Sequence, residues 1–97
     1  MKNIRLKFTL EAARLLAKLH PEAKKLIKAS LEELRQNPYL GDDLQQELSG
    51  FKSYKTKRYR VLYDINEEVI QAYYVGHRRD VYEQFRDLLN SFQESPK

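Results

Sequence analysis

The chain has no cysteine, which excludes a disulfide framework, a thiolate nucleophile and any zinc site built on thiolates. Histidine is almost as scarce. His20 and His77 are too few for a His-rich metal cluster. No apolar run approaches the roughly 18 residues that suggest a membrane span, and Met1–Leu10 lacks the apolar segment of a signal peptide. These absences lead us to expect a soluble, cytoplasmic chain that engages no membrane and uses no metal or other cofactor.

What the chain does have is charge and patterned apolar residues. At 97 residues it sits near the low end of the range in which one core stabilises one domain, so 1–97 is read as a single domain. A charged share of 33% and a mean hydropathy of −0.76 would fit disorder if the apolar residues were sparse. They are instead 41% of the chain and periodic, which argues for a packed core. The net charge of +4, with a pI near 9.3, favours an anionic partner, either nucleic acid or an acidic protein.

Along Met1–Thr9, Ile4, Leu6 and Phe8 alternate with polar residues, the pattern of a half-buried strand. Thr9 suits the N-cap of an Ala- and Leu-rich helix over Leu10–Leu19. His20-Pro21 interrupts it, with Pro21 at the first position of a second helix. Ala23, Leu26, Ile27, Leu31 and Leu34 give that helix its period over Pro21–Gln36, and Asn37-Pro38 ends it. His20 reads as a cap or surface residue without chemistry. Leu40–Gly50 is a polar connection.

The period then changes. Phe51–Thr56, Tyr59–Ile65 and Val69–Val75 are rich in aromatic and β-branched residues and read as strands. A turn at Asn66-Glu67 joins the last two as an antiparallel hairpin. Gly76 is read as closing the last strand, and Asp80 as helping to cap the last helix. Val81, Phe85, Leu88, Leu89 and Phe92 form the apolar stripe of that helix, and the tail Gln93–Lys97 is expected to fray. The order β-α-α-β-β-β-α predicts an α+β fold. We expect a small twisted antiparallel-type sheet with the N-terminal helical hairpin on one face, the other face at least partly open, and a C-terminal helix.

Two constellations carry chemistry. In the first, Lys52, Lys55, Lys57, Arg58 and Arg60 are interleaved with Phe51, Tyr54, Tyr59 and Tyr63. If one strand runs through Lys55 and Lys57, they project from the same face, with Arg60 alongside on the next strand. Such cations neutralise phosphate oxygens, and tyrosines among them can stack on bases. A basic strand also blocks edge-to-edge pairing, so composition alone leaves the surface open to either reading. The second constellation runs Val75-Gly76-His77-Arg78-Arg79-Asp80-Val81-Tyr82, where a sheet edge meets a loop. An arginine there can fork onto a phosphate and stabilise developing charge. His77 has the side chain best suited to proton transfer near neutrality, and Tyr82 can stack on a base or hold a hydroxyl near a phosphate. The plainer alternatives are an exposed histidine and a tyrosine that packs on the sheet.

Across nearly its whole length the chain resembles the RelE branch of the RelE/ParE toxin superfamily. The resemblance rests on Leu48-Ser49-Gly50, Ser53-Tyr54-Lys55, Tyr59-Arg60-Val61-Leu62-Tyr63 and the Val75–Tyr82 block. It implies a toxin paired with a cognate antitoxin, acting as a metal-independent endoribonuclease on mRNA in the ribosomal A site. In that chemistry a ribose 2′-hydroxyl attacks the adjacent phosphate in line, leaving a 2′,3′-cyclic phosphate and a free 5′-hydroxyl. By the same resemblance Lys55 and Lys57 are the paired strand lysines, one of them a base. Arg60 is the phosphate-binding arginine, Arg78 the arginine that stabilises the transition state, with Arg79 as its rival, and Tyr82 the tyrosine that orients the mRNA base. Lys52, Arg58, His77 and Arg79 complete the expected RNA-contacting surface. The interval from Lys57 to Arg60 is shorter than in the best-known pattern, and His77 stands where some relatives have lysine. The same superfamily also includes non-nuclease inhibitors of DNA gyrase, which is the alternative activity.

Overall fold

Ile4, Leu6 and Phe8 turn inward and Arg5 and Lys7 outward to make strand β1 (Arg5–Phe8) in the computed structural model, which describes residues 4–79 and 81–93. The Thr9 hydroxyl accepts from the Ala12 N–H at 3.1 Å and starts α1 (Leu10–Lys18). His20 caps α2 (Pro21–Gln36), its Nδ1 accepting from the Glu22 N–H. The β-carbons of Ala23, Ile27, Leu31 and Leu34 fall on one stripe, and all four side chains are buried.

The polar connection is more structured than its composition suggests. A single-turn 3-10 helix, Pro38–Leu40, leads into it, and it holds a second, Gln46–Leu48, and a two-residue strand, β2 (Asp42–Asp43). Then come β3 (Lys52–Thr56), β4 (Tyr59–Asn66), β5 (Val69–His77) and α3 (Val81–Gln93). The expected turn at Asn66-Glu67 lies one residue later, at Glu67-Glu68, because Asn66 stays in the ladder opposite Val69 and Glu67 takes the positive φ of 58°. Gly76 does not close β5, which continues to His77. The Asp80 cap, the side chains of Leu88 and Phe92, and the tail beyond Gln93 lie outside the described residues.

The five strands form one open sheet in the order β1-β5-β4-β3-β2. Three ladders are antiparallel and β1 pairs parallel with β5, so the fold is α+β with a mixed sheet. One face packs Val61, Tyr63, Ile70, Ala72 and Val75 against Ala12, Ile27, Leu31 and Leu34 of the helical hairpin. The other packs Leu62 and Tyr74 against Val81 and Phe85 of α3, so α3 occupies part of the face expected to be open.

A β-bulge sits between the two halves of β5. Tyr63 pairs with Ala72 but Leu62 with Tyr74, leaving Tyr73 as an extra residue. As a result Tyr73 and Tyr74 both pack on the α3 side, and Tyr73 contacts Phe51 edge-on at 5.1 Å between ring centroids. Burial is the main cause of a raised Tyr73 hydroxyl pKa, with the nearby Asp64 carboxylate adding to it.

On the hairpin face, the Tyr63 ring is fully buried. Its hydroxyl donates to the Pro38 carbonyl at 2.7 Å and accepts from the Gly41 N–H at 3.1 Å, tying the connection to the central strand. Burial pushes this hydroxyl up to about 12, although the Gly41 N–H pulls the other way. A β-carbon on Gly41 would lie 2.5 Å from that hydroxyl oxygen and 3.0 Å from the Ser53 carbonyl, so the close approach requires glycine.

Candidate active site

The β3–β4 hairpin closes with two residues, Lys57 and Arg58, between the paired Thr56 and Tyr59. Lys57 takes a φ of 55°, the positive value that lets a two-residue loop follow the twist of its strands. The common projection of Lys55 and Lys57, which required one strand through both, therefore does not form. The strand stops at Thr56, and Lys57 leaves the alternation.

Register decides which cations meet. Lys55 pairs with Arg60 and Ser53 with Leu62. Directly opposed residues share a face, and Leu62 belongs to the cluster under α3. Ser53, Lys55 and Arg60 therefore lie on the α3 face. Lys52 and Tyr54, opposite Tyr63 and Val61, lie on the hairpin face.

Buried Val81 and Phe85 seat α3 on the sheet and bring Tyr82 over this cluster. The Tyr82 hydroxyl accepts from Arg60 Nη1 at 2.8 Å and donates to Ser53 Oγ at 3.0 Å. The Arg60 guanidinium carbon lies 5.6 Å from the Tyr82 ring centroid. Arg60 Nε is buried and has no hydrogen-bond partner among the described residues. Opposite Arg60 on β5 stands Gly76, whose missing β-carbon would lie 2.8 Å from the Tyr74 ring. That ring is fixed in turn by its hydroxyl, which donates to Gln84 of α3.

The other candidates divide into two groups. Lys57, Arg58, Arg78 and Arg79 are exposed at the same end of the sheet, where the Arg78 N–H donates to the Arg58 carbonyl at 2.7 Å. His77 and Lys52 stand apart from Arg60 and Tyr82. His77 pairs with Tyr59 on the hairpin face, ring centroids 6.1 Å apart, and its Nδ1 accepts from the Arg79 N–H at 3.2 Å. Lys52 is ion-paired with Asp43 at 2.5 Å and lies over the Tyr39 ring. Among the described residues no carboxylate pairs with Lys55, Arg60 or Arg78, in contrast to Arg35 with Glu32 and Lys52 with Asp43.

Sequence reasoning passed over Ser53 as a site residue. Its signal was a lone hydroxyl between Phe51 and Lys55 at alternate positions, in a strand whose partner residue is Leu62. The arrangement offers a set of phosphate-binding donors beside an anchored phenol, all fixed by strand register and helix docking.

A family model described as "ParE toxin of type II toxin-antitoxin system, parDE" matches residues 6–82. Among solved structures, the chain is similar to the RelBE2 toxin-antitoxin complex from Mycobacterium tuberculosis, with a TM-score of 0.72 and 30% identity over 79% of this chain and 100% of that one. It also resembles the isolated RelE toxin of E. coli, at TM-score 0.66 and 23% identity over 89% and 98% of the two chains. The chromosomal ParDE system of P. aeruginosa is similar at TM-score 0.61 and 19% identity, over 77% and 96%. The last two likenesses speak to the fold alone. No curated protein sequence matches the chain.

Proposed function

We propose that this chain, which belongs to the ParE toxin family of type II toxin–antitoxin systems, is a metal-independent endoribonuclease that cuts mRNA in the ribosomal A site. The supporting observation is the direct opposition of Lys55 and Arg60 on one sheet face beside Tyr82, with no carboxylate to pair them among the described residues. Like charges placed opposite one another destabilise a sheet. A local rule broken in this way is characteristic of a functional site, where an anionic ligand supplies the missing partner.

In the reaction, the 2′-oxygen forms a bond to phosphorus as the bond from phosphorus to the 5′-oxygen breaks. One proton leaves the 2′-hydroxyl and one reaches the departing 5′-oxygen. Arg60 and Arg78 bind the phosphate and stabilise the charge that grows on its oxygens. One of Lys55 and Lys57, reacting as the neutral amine, takes up the 2′-proton and becomes an ammonium. On this reading the Tyr82 ring stacks on a base of the mRNA. Exposed Arg58 and Arg79 add backbone contacts. The partners on this reading are the ribosome with its mRNA, and a cognate antitoxin. Because the site has no strong acid–base pair, imposed substrate geometry carries much of the rate, so naked RNA is cut poorly.

Primer extension on mRNA translated in vitro tests the reading, with and without ribosomes. Ribosome-dependent cuts that fall at least about 100-fold in Arg60→Ala and in Arg78→Ala are expected, the size typical of losing a charge-stabilising donor. Intact mRNA with the wild-type chain refutes it. The family description, which names parDE, favours gyrase inhibition as the second reading, and a DNA supercoiling assay then decides.

A further inference from the structure

We propose that Ser53 is a positioning residue of this site: its buried hydroxyl fixes the Tyr82 phenol and, through that phenol, aims the Arg60 guanidinium. The inference rests on the endoribonuclease reading and deepens it.

Ser53 is 1% exposed and faces α3 opposite Leu62. Packing there needs no hydroxyl, and alanine would avoid burying one. A buried hydroxyl is tolerated only with a hydrogen-bond partner, and its partner is Tyr82. The direction of each bond follows from the groups involved. Arginine has only donors, so the phenol must accept from Arg60 Nη1, and its single proton goes to Ser53. The phenol thus has no freedom to rotate its O–H elsewhere.

The consequence reaches Arg60. Nη1 lies on the side of the guanidinium away from the fork made by Nε and Nη2. With Nη1 held by Tyr82 and Nε buried without a partner among the described residues, the guanidinium is pinned on the Tyr82 side, and Nη2 is the nitrogen left to meet a phosphate. Ser53 touches neither fork nor substrate. It acts by keeping Tyr82 where it can hold the other side of Arg60.

The test compares Ser53→Ala, Ser53→Thr, Tyr82→Phe and the double variant Ser53→Ala/Tyr82→Phe in ribosome-dependent cleavage, with thermal melts as a folding control. Ser53→Ala is expected to lower the maximal rate about 10-fold with little change in KM, since a small misplacement of a binding group is felt in the rate. Ser53→Thr, which keeps the hydroxyl, recovers most of it. The double variant should be no slower than Tyr82→Phe, because the effect passes through the phenol. A wild-type rate in Ser53→Ala, or a further loss of equal size on top of Tyr82→Phe, overturns the proposal.

A second readout does not need cleavage. The NMR signal of the Arg60 Nε–H should move in both Ser53→Ala and Tyr82→Phe. If the wild-type chain cuts no mRNA, the endoribonuclease reading fails on its own, and this signal still decides the positioning role. An Arg60 signal unchanged in Ser53→Ala sinks it, and Tyr82→Phe gives the same information should Ser53→Ala not fold.

Discussion

Tyr63 and Tyr82 stand on opposite faces of the same sheet, Tyr63 projecting from β4 and Tyr82 reaching in from α3, each held by its hydroxyl, yet the partners differ in kind. Tyr63 is bonded to two backbone groups, the Pro38 carbonyl and the Gly41 N–H. Tyr82 is bonded to two side chains, Arg60 and Ser53. Backbone partners cannot be exchanged or re-aimed, so Tyr63 is a fixed tie between the connection and the core. Side-chain partners can be tuned residue by residue, so the same phenol on the other face can organise a site. One residue type thus supplies stability on one side of the sheet and orientation on the other.

The sharpest way to separate the two roles is Lys55→Glu. It replaces a repulsive cross-strand pair by an attractive one opposite Arg60, which should stabilise the fold by about 0.2–1 kcal/mol. On the endoribonuclease reading cleavage should nevertheless fall at least about 100-fold, since a carboxylate would repel the phosphate that Arg60 is proposed to bind. Parallel urea titration and primer extension check both halves. A stable variant that still cuts would break the contrast.

Tyr63→Phe is the converse. It leaves the Pro38 carbonyl and the Gly41 N–H without their partner and should cost about 1–3 kcal/mol. Gly41→Ala, which drives a methyl into the same hydroxyl, should cost a similar amount. Both should cut mRNA at the wild-type rate per folded molecule. A specific loss of cleavage in either would blur the distinction.

Alkaline pH offers a gentler probe. The Tyr63 hydroxyl titrates near 12 in the folded chain and near 10 when unfolded, so the folded state holds this proton more tightly. Its contribution is complete below about pH 10 and is lost as the pH rises through about 12. Denaturation curves at about pH 9 and about pH 11 should show a steeper loss for wild type than for Tyr63→Phe. Equal slopes would place the cause elsewhere. The smallest effect is expected at Glu67, whose φ of 58° strains a β-carbon far along the sheet from the site. Glu67→Gly should stabilise by no more than about 1 kcal/mol and leave cleavage unchanged.

Legibility in the sequence followed the strength of each physical signal. Helix α2 was readable because Ala23, Ile27, Leu31 and Leu34 keep one period between two proline boundaries. Strand β2 was not, because two exposed aspartates carry no alternation. Alternation in β1 revealed which residues turn inward but not its parallel neighbour β5, which depends on how distant segments dock. In the site, Arg60 and Tyr82 stood out by chemistry, and the structure joins them. The break between Thr56 and Tyr59 was legible, but not which way Lys57 would point, because a positive φ in a turn without glycine leaves little trace in sequence. Ser53 escaped notice because a serine acquires meaning only from what a helix far along the chain brings to it.

The extra residue in β5 also bears on how this strand can change length. Ala72 faces the hairpin, and Tyr73 and Tyr74 both face α3. A chain lacking Tyr73 would therefore alternate regularly and keep every remaining side chain on its present face, with Gly76 still opposite Arg60. Losing Gln71 instead would turn Ala72 and Tyr73 to the wrong sides. Descendants of this chain can shorten β5 at Tyr73 with the site intact, and homologues one residue shorter are expected to have lost their residue there.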